Sequence, residues 1–299
     1  MAKNDPVLSI IILSYNTQKI TEDCLQSIYA SLKNSTLPYE IIVLDNASKD
    51  DSPAMLREMA KKHRNLHVIL NKENIGFGRG NNQAVKTAKG TYLLLLNSDT
   101  IILDNAIEKT FQYYQEHENE QHFLGMKLLN TDKSDQPSAA AFFTLPVLFA
   151  FLFMRGDRWG ATRNSPDKIT KVDWVSGACI MCKKEYYDAV EGFDEGIFMY
   201  MEEVDLQYRA RMKGYSTYFY PYAKIIHIGS ASSNKTYPIL QAYRGFLYFY
   251  KKHGNPLSLR LLKIMLKLKA LIAYTIGKVL KNQYLTHTYE EAYKLVEMV

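Results

Sequence analysis

The sequence is poor in cysteine, with only Cys24, Cys179 and Cys182 among its 299 residues. Three cysteines are too few for a disulfide framework and suit a reducing compartment. Cys179 and Cys182 form a C-x-x-C, but they lie in an apolar run typical of a strand, where positions i and i+3 point to opposite faces. We therefore expect small buried side chains and no zinc site.

Long apolar runs are also missing. Residues 1–6 show no apolar region of a signal peptide, and residues 7–13 are too few to cross a bilayer. The longest apolar stretch, 139–154, is interrupted by Thr144 and Pro146. We expect no membrane-spanning segment and a cytoplasmic protein. The stretch 139–154 has no clear period and suits either the core or an exposed face near a lipid substrate.

Two common nucleotide-binding fingerprints are absent. Gly76, Gly78 and Gly80 follow a G-x-G-x-G spacing, unlike the G-x-G-x-x-G of a Rossmann loop, and no Gly-Lys-Ser/Thr of a Walker A loop follows them. Glycines still allow positive φ and a close approach of backbone N–H groups to phosphate. The stretch is therefore either a phosphate-binding loop or a flexible turn, followed by a helix from about residue 82 to 88.

Positive charge is concentrated in the C-terminal fifth. The whole chain has a net charge of +6, residues 235–299 alone have +8, and the first 234 residues have −2. A hydrophobic content of 47% excludes a disordered chain. A near-neutral body with a basic tail favours an anionic partner surface, for which membrane phospholipid and nucleic acid both qualify. We expect the basic tail to bind a membrane surface, and we expect no binding of nucleic acid.

Polar clusters follow three apolar strand-like runs. Residues 7–13, 40–44 and 93–96 are mostly apolar, and the pattern β-α-β-α-β-loop-α-β predicts an α/β fold with a parallel sheet. Ligands bind outside the carboxyl ends of such strands. The residues there are Ser14-Tyr15-Asn16, Asp45-Asn46-Ala47-Ser48 and Asn97-Ser98-Asp99.

Asp99 is the strongest candidate for a metal ligand in the first half of the chain. A carboxylate at the end of a buried strand suits Mg²⁺ shared with substrate phosphates. The alternative is a turn in which Ser98, Asp99 and Thr100 cap the next helix.

The second half of the chain has its own acidic cluster. Residues 172–181 predict a strand, and an aromatic run from residue 198 becomes a helix at Glu202, Glu203 and Asp205. Three carboxylates at a helix start favour the helix dipole, and one of them could equally act as a general base. His227 follows as either a ligand for a metal or diphosphate, or a structural histidine.

The ordered set of motifs resembles the family-2 inverting glycosyltransferases with the GT-A fold, in particular the rhamnosyltransferase-like branch. This resemblance covers about residues 7–252 and implies a Rossmann-like, mostly parallel sheet flanked by helices. Besides the three strand-end clusters, the motifs are Asn74-x-Gly76-Phe77-Gly78-x-Gly80-Asn81, Trp174-x-Ser176-Gly177, Gly192-Phe193-Asp194-Glu195, Tyr200-x-Glu202-Glu203-x-Asp205-Leu206 and His227-x-Gly229.

The resemblance also implies roles for individual residues. Tyr15 and Asp45 would hold the nucleobase, Glu203 would be the catalytic base, and Asp99 with His227 would hold Mg²⁺ or Mn²⁺. Further residues implied in nucleotide-sugar binding are Ser14, Asn16, Asn46, Gly76, Gly78, Asn81, Asn97, Ser98, Trp174, Gly177 and Glu202.

Two residues depart from the family pattern. Asn97 replaces the first Asp of the metal-binding D-x-D, and Glu203 replaces the usual Asp base, with Asp205 as a rival.

The activity implied is transfer of a sugar, with inversion, from a nucleoside-diphosphate sugar to a glycan or polyprenyl-linked acceptor in cell-surface polysaccharide synthesis. TDP-rhamnose is the donor that the branch suggests. Two alternatives are a nucleotidyltransferase that makes nucleotide sugars and a catalytically degenerate docking subunit. The first usually has a basic, glycine-rich N-terminal signature that is absent here.

The C-terminal part predicts two helices, 237–253 and 257–281. We divide the chain into a catalytic domain, 1–234, and a basic helical extension, 235–299. On a wheel of 100° per residue, Arg260, Lys263, Lys267, Lys278 and Lys281 share an arc of about 60°. A basic stripe on an apolar helix favours an interfacial membrane anchor on the inner face of the plasma membrane. The alternatives are a docked helix with a solvated edge and a homodimer contact.

Overall fold

A computed structural model describes residues 5–158, 160–229 and 236–298. The strands are β1 (Leu8–Ser14), β2 (Tyr39–Asp45), β3 (Leu66–Leu70), β4 (Tyr92–Asn97), β5 (Thr100–Ile102), β6 (Phe123–Leu129), β7 (Asp135–Gln136), β8 (Ala139–Ala140), β9 (Arg163–Asn164), β10 (Thr170–Val172), β11 (Trp174–Val175), β12 (Cys179–Lys183) and β13 (Thr217–His227). The helices are α1 (Gln18–Ser31), α2 (Ser52–Lys62), α3 (Phe77–Val85), α4 (Ala106–His117), α5 (Leu145–Phe153), α6 (Lys184–Ala189), α7 (Glu202–Met212), α8 (Thr236–His253), α9 (Pro256–Val279) and α10 (Gln283–Met298).

The central sheet has the strand order β10-β13-β6-β12-β4-β1-β2-β3, with β5 added to β13 and β7 to β6. Strands β4, β1, β2 and β3 are parallel neighbours, and β6 and β13 are parallel to each other. Strand β12 is antiparallel to both β4 and β6, so it joins these two parallel groups. The prediction of an α/β fold with a mostly parallel sheet is confirmed. A small second sheet has the order β11-β8-β9.

Successive leucines of β4 enter two different apolar clusters, because side chains of a strand alternate between faces. Leu94 and Leu96 pack with residues of α1, α2 and α4. Leu93 and Leu95 pack with residues of α3, α6 and α7. The strand is therefore buried on both faces, as its unbroken apolar run predicts. Cys179 and Cys182 of β12 likewise lie in opposite clusters, which confirms that they are separate buried thiols.

Three predicted elements differ from the structure. Helix α3 begins at Phe77 instead of about residue 82, so Gly78 and Gly80 are helical and belong to no loop. The predicted strand 172–181 is divided among β10, β11 and β12, because Trp174 and Val175 leave the central sheet to pair with β8. The predicted helix 257–281 ends earlier, at Val279. Strand β13 has an irregularity between Tyr220 and Lys224.

The three C-terminal helices pack on the body through a third apolar cluster. This cluster joins Trp174 and Val204 of the body to Phe246 of α8 and Leu266 of α9. Leu148 and Leu152 of α5 are buried in it, while Phe149 and Met154 are about half exposed, so the 139–154 stretch is both core and surface.

No helix is predicted after Lys281, and α10 is an addition that packs along α9. The predicted boundary between 234 and 235 lies outside the described residues, and the domain division stays a prediction. Within 5–158, 160–229 and 236–298, no helix has both the length and the apolar character that a bilayer span requires.

Candidate active site

The strand registers bring the predicted polar clusters to one rim of the sheet. Ser14 pairs with Asp45, and Leu13 pairs with Asn97. On the other side of β4, Leu96 pairs with Cys179, and the Asn97 N–H donates to Ala178 O at 3.0 Å. The ends of β1, β2, β4 and the start of β12 therefore meet at one edge.

Asp45 offers an unused acceptor at this rim. Its side chain is 1% exposed, and its Oδ1 accepts from the Ser48 N–H at 2.9 Å. Its Oδ2 is buried and has no hydrogen-bond partner within the described part of the chain. A buried acceptor without a donor is costly, and in a ligand site it marks the place of a ligand donor. Half-buried Tyr15 lies close to Tyr237 at the start of α8.

Four other residues predicted to bind the nucleotide sugar make hydrogen bonds within the protein. Ser14 Oγ lies 3.0 Å from Thr21 Oγ1, and Asn16 Oδ1 accepts from the Lys49 N–H at 2.7 Å. Asn46 Nδ2 donates to Asn74 Oδ1 at 2.8 Å, and Asn81 Nδ2 donates to Phe77 O at 3.0 Å. These side chains shape the rim from inside, and a direct contact with the donor stays a prediction for each of them.

The glycine motif brings α3 against the segment 193–198. Gly76 has φ +89°, and a Cβ there would lie 2.8 Å from Phe198 O, so both the conformation and the space favour glycine. The Phe77 N–H donates to the same Phe198 O at 2.9 Å. Gly78 packs against Phe193. The motif therefore has a packing role in this structure, and phosphate binding by Gly76 and Gly78 stays a prediction.

Asp99 and His227 form a pair next to Asn97. His227 Nε2 lies 3.3 Å from Asp99 Oδ1 and 3.4 Å from Asn97 Nδ2. Asp99 Oδ2 accepts from the Gly229 N–H at 3.1 Å. Gln136, which no sequence pattern singles out, lies on the other side of the ring, with Oε1 2.7 Å from His227 Nδ1. Because Gln136 Nε2 donates to His227 O at 3.1 Å, its Oε1 is the acceptor and Nδ1 is the protonated ring nitrogen.

These residues fit a divalent cation that is shared with a substrate. His227 Nε2 keeps its lone pair, Asp99 offers a carboxylate, and Asn97 Oδ1 is buried with no hydrogen-bond partner among the residues that the structure describes. Ser98, which stands between Asn97 and Asp99 in the sequence, is 9% exposed. Across the described residues, no three His, Cys, Asp or Glu side chains converge as a complete metal site. A donor set this small suits Mg²⁺ or Mn²⁺ completed by diphosphate oxygens and water.

Glu203 joins this rim through Gly177. A Cβ at Gly177 would lie 3.3 Å from Glu203 Cβ, and the next residue, Ala178, accepts the hydrogen bond from Asn97. The turn before Glu203 contains two consecutive residues with positive φ, Tyr200 at +66° and Met201 at +76°. Such conformations are costly outside glycine and cluster at functional sites.

Burial changes the proton affinity of both carboxyls at the start of α7. Burial and the neighbouring charge of Glu203 raise the pKa of Glu202 well above its ordinary value, and Glu202 Oε2 has no partner. Burial also raises the pKa of Glu203, while the Gly177 N–H and the charge of Arg163 act in the opposite direction. A raised carboxyl pKa suits a general base that must accept a proton near neutral pH.

Asp205 has a different electrostatic environment from Glu202 and Glu203. It is 0% exposed, and its carboxylate lies 2.7 Å from Arg209 Nε, 2.9 Å from Lys252 Nζ and 2.7 Å from His253 Nε2. Burial alone would raise its pKa, but the hydrogen bond from His253 and the charges of Arg209 and Lys252 lower the pKa of Asp205 to about 2. A carboxylate held by two cationic side chains and a histidine N–H is a poor proton acceptor, so the structure speaks against Asp205 as the base.

Trp174 also has a structural role. Its side chain is 1% exposed, and its indole N–H donates to Ala141 O at 2.9 Å. The ring therefore has no free surface for the donor, which speaks against the predicted direct contact. Arg163 lies 5.3 Å from the centre of this ring, and its charge reaches Glu203, although the sequence gives no signal for either contact.

Two clefts lie outside the rim itself. One of about 450 Å³ separates the segment 196–199 from α8 and is lined by Phe198, Tyr237, Arg244 and Tyr248 among others. Its Gly245 wall contacts Met201, just before the Glu202-Glu203 pair. The larger cleft, of about 590 Å³, lies at the start of β13, which is the opposite end of this strand from His227.

Solved glycosyltransferases share this architecture. A mannosyltransferase from Pyrobaculum calidifontis, solved with GDP-Man and Mn²⁺, aligns with a TM-score of 0.57 over 99% of this chain and 87% of its own, at 15% identity. GalNAc-T7, solved with UDP, GalNAc and Mn²⁺, aligns with a TM-score of 0.62 over 99% of this chain and 56% of its own, at 13% identity. The fold is therefore of the GT-A type, with added C-terminal helices.

Sequence comparison identifies the family. The model of Glycosyl transferase family 2 matches residues 9–168, more than half of the chain, so the chain belongs to this family and is a glycosyltransferase. Rhamnosyltransferase WbbL of Escherichia coli is 28% identical over 228 residues, 73% of this chain and 82% of that protein. The N-acetylglucosaminyl-diphospho-decaprenol L-rhamnosyltransferase of Mycobacterium tuberculosis is 23% identical over 248 residues, 77% of this chain and 78% of its own.

Proposed function

We propose that the protein transfers a sugar from a nucleoside-diphosphate donor to an acceptor hydroxyl with inversion, and that Glu203 is the general base. One observation supports this most: Asn97 and Glu203 are bridged by the adjacent residues Gly177 and Ala178. The base and the Asn97-Ser98-Asp99 cluster are thus neighbours, as a single in-line displacement requires. Glu203 would take the proton from the acceptor hydroxyl as that oxygen attacks the anomeric carbon.

We infer that Asp99, His227 and Asn97 hold Mg²⁺ or Mn²⁺, because each side chain offers an atom with a lone pair that can coordinate a cation. Bound there, the cation supplies positive charge that stabilises the departing diphosphate. Gln136 holds the proton of His227 on Nδ1 and so keeps Nε2 available. Asp45 Oδ2 would accept a hydrogen bond from the nucleobase, and Tyr15 would lie against the same base.

For the donor we propose TDP-rhamnose, because both relatives named above are rhamnosyltransferases. For the acceptor we propose a glycan on a polyprenyl diphosphate, the kind of molecule in the name of the mycobacterial relative. The cleft beside α8 suits such an acceptor, since aromatic rings stack on sugars and exposed Arg244 suits a phosphate. An acceptor of this kind would place the enzyme at the inner face of the plasma membrane.

The decisive experiment replaces Glu203 by Gln and measures transfer with a panel of nucleotide sugars. We expect kcat to fall by about 10²–10⁴, the contribution typical of a general base, while the Kd of the nucleotide stays within about twofold. The matched control is Glu116→Gln on the exposed side of α4. Equal rates for Glu203→Gln and the control would remove Glu203 from the reaction, and no turnover in the wild-type protein would favour a docking subunit.

A further inference from the structure

Helix α9 exposes an apolar face to the outside of the molecule. On a wheel of 100° per residue, this face points about 160° away from the buried side, which contains Leu262, Leu266 and Ala270. Its members are between 41% and 76% exposed. We call them the α9 apolar face: Leu261, Ile264, Leu268, Leu271, Ile276 and Val279.

The neighbouring helix α10 shows what an ordinary solvent-facing side looks like in this part of the chain. Helix α10 packs along α9, and its exposed residues include His287, Glu290, Glu291 and Lys294. Scattered apolar residues are normal on a surface, but an apolar stripe along about five turns is a feature of interaction sites. The difference between the two helices indicates that α9, unlike α10, faces an apolar partner.

Positive charges border the α9 apolar face. Arg260, Lys263 and Lys278 lie on one flank, and Lys269 lies on the other, near Arg155 at the end of α5. Helix α9 contains no acidic residue. Lys267 lies on the same flank as Arg260, and its Nζ forms an ion pair with Glu297 Oε1 at 3.2 Å. An apolar stripe between cations complements a surface that is apolar within and anionic at its edge.

The packing of α9 excludes an orientation of this helix across the bilayer and favours one parallel to the membrane surface. The opposite side of α9 is committed to the third apolar cluster, through Leu262, Leu266 and Ala270, so lipid cannot surround this helix. A helix that is held on one side and apolar on the other can sink its outer face about 5–10 Å into the headgroup boundary.

We propose that the α9 apolar face docks on an anionic phospholipid bilayer, with Arg260 and Lys263 against lipid phosphates. This inference rests on the proposed function, since a polyprenyl-linked acceptor is delivered from the same surface. Docking also fixes the catalytic helix. Helix α8 leads into α9, and its Lys252 and His253 bind Asp205 of α7. Asp205 lies two residues after Glu203 in the chain. The membrane-bound α9 therefore sets the height of the base above the bilayer.

The experiment is co-sedimentation of the full chain with vesicles of phosphatidylcholine alone and of phosphatidylcholine with 30% phosphatidylglycerol. The test variant is Ile264→Gln/Leu268→Gln. Its matched control is Ile169→Gln/Met212→Gln, the same kind of change at exposed apolar residues far along the chain from α9. We expect the wild type and the control to bind anionic vesicles, and the test variant to bind about tenfold or more weakly. Raising NaCl from 50 to 500 mM should weaken wild-type binding, because salt screens the flanking charges.

A second variant, Arg260→Gln/Lys263→Gln, changes only the flank and should lose preference for anionic vesicles. Thermal melting and nucleotide binding are measured for every variant, so that loss of docking is separated from loss of folding or of the proposed function. Wild-type binding that is absent, or equal in the test variant, would overturn the proposal. A wild-type dimer that the test variant disperses, without vesicle binding, would also overturn it and assign the face to a second copy.

Discussion

Two groups of charged and polar residues meet at helix α7 and are built in opposite ways. At the strand-end rim, two buried acceptors have no partner among the described residues: Asp45 Oδ2 and Asn97 Oδ1. At the joint with α8, Asp205 has three partners, Arg209, Lys252 and His253, and Lys252 also reaches Asp194 at 2.5 Å. Because an unpaired buried polar atom costs free energy, a ligand that donates hydrogen bonds to the two acceptors would stabilise the rim. The joint is complete without one.

The comparison shows that carboxylates at the start of one helix can have different roles. Glu203 and Asp205 are two residues apart, yet the first lies against Gly177 and the second holds two helices together. We expect the satisfied groups to contribute to the stability of the fold and the unsatisfied groups to contribute to the affinity for a ligand. Four substitutions test this distinction.

The largest effect is expected from Asp205→Asn, which leaves Arg209, Lys252 and His253 without their shared carboxylate. We expect the free energy of unfolding to fall by about 3–5 kcal/mol, measured by urea denaturation at pH 7. Because the pKa of Asp205 is lowered to about 2, its stabilisation is present above its ordinary pKa and is lost as the pH falls toward 2. The gap between variant and wild type should close over that range.

The control for this change is Asp188→Asn, which breaks an exposed pair with Lys184 and should change stability by about 0.5 kcal/mol or less. Similar losses in both variants would show that the joint is no stronger than a surface ion pair.

Asp45→Asn tests the rim. The amide can still accept the Ser48 N–H, but it replaces the unused acceptor by a donor. We expect the Kd for nucleoside diphosphates to rise about tenfold or more, in line with a lost hydrogen bond to a charged group, and stability to change little. Calorimetric titration measures the first and thermal melting the second. Unchanged nucleotide affinity with reduced stability would place Asp45 among the fold-holding residues.

Gln136→Ala tests whether the orientation of His227 matters for the cation. We expect Mn²⁺ affinity, followed by its paramagnetic resonance signal, to fall about tenfold or more. Gln136→Glu keeps an acceptor for Nδ1 and should restore binding. If both variants bind Mn²⁺ as the wild type does, His227 does not depend on Gln136.

Glu202→Gln should have the smallest effect, in the opposite direction from Asp205→Asn. Burial and the charge of Glu203 raise the pKa of Glu202, so stability is lost as the pH rises through that pKa. The neutral amide removes this cost. We expect the melting temperature to rise by about 2–4 °C at pH 8 and the gain to disappear near pH 4. A lower melting temperature at pH 8 would mean that the charged carboxylate is satisfied.

Local patterns determined much of this protein. The unbroken apolar run at 93–96 requires a strand buried on both faces, and the helix-strand alternation around it requires a parallel sheet with polar residues at one edge. The motifs identified the family and named Asp45, Asp99, Glu203 and His227, because each follows a recognisable strand end or helix start.

The tertiary structure alone decided how those residues differ. Ser14, Asn46 and Asn81 have the same polar character as Asn97, but their side chains have hydrogen-bond partners in the protein, whereas Asn97 Oδ1 has none among the described residues. Asp205 and Glu203 diverge for the same reason, since only the packing of α8 brings Lys252 and His253 to one of them. Which polar atoms find partners depends on segments that are distant in the chain, and no local pattern encodes it.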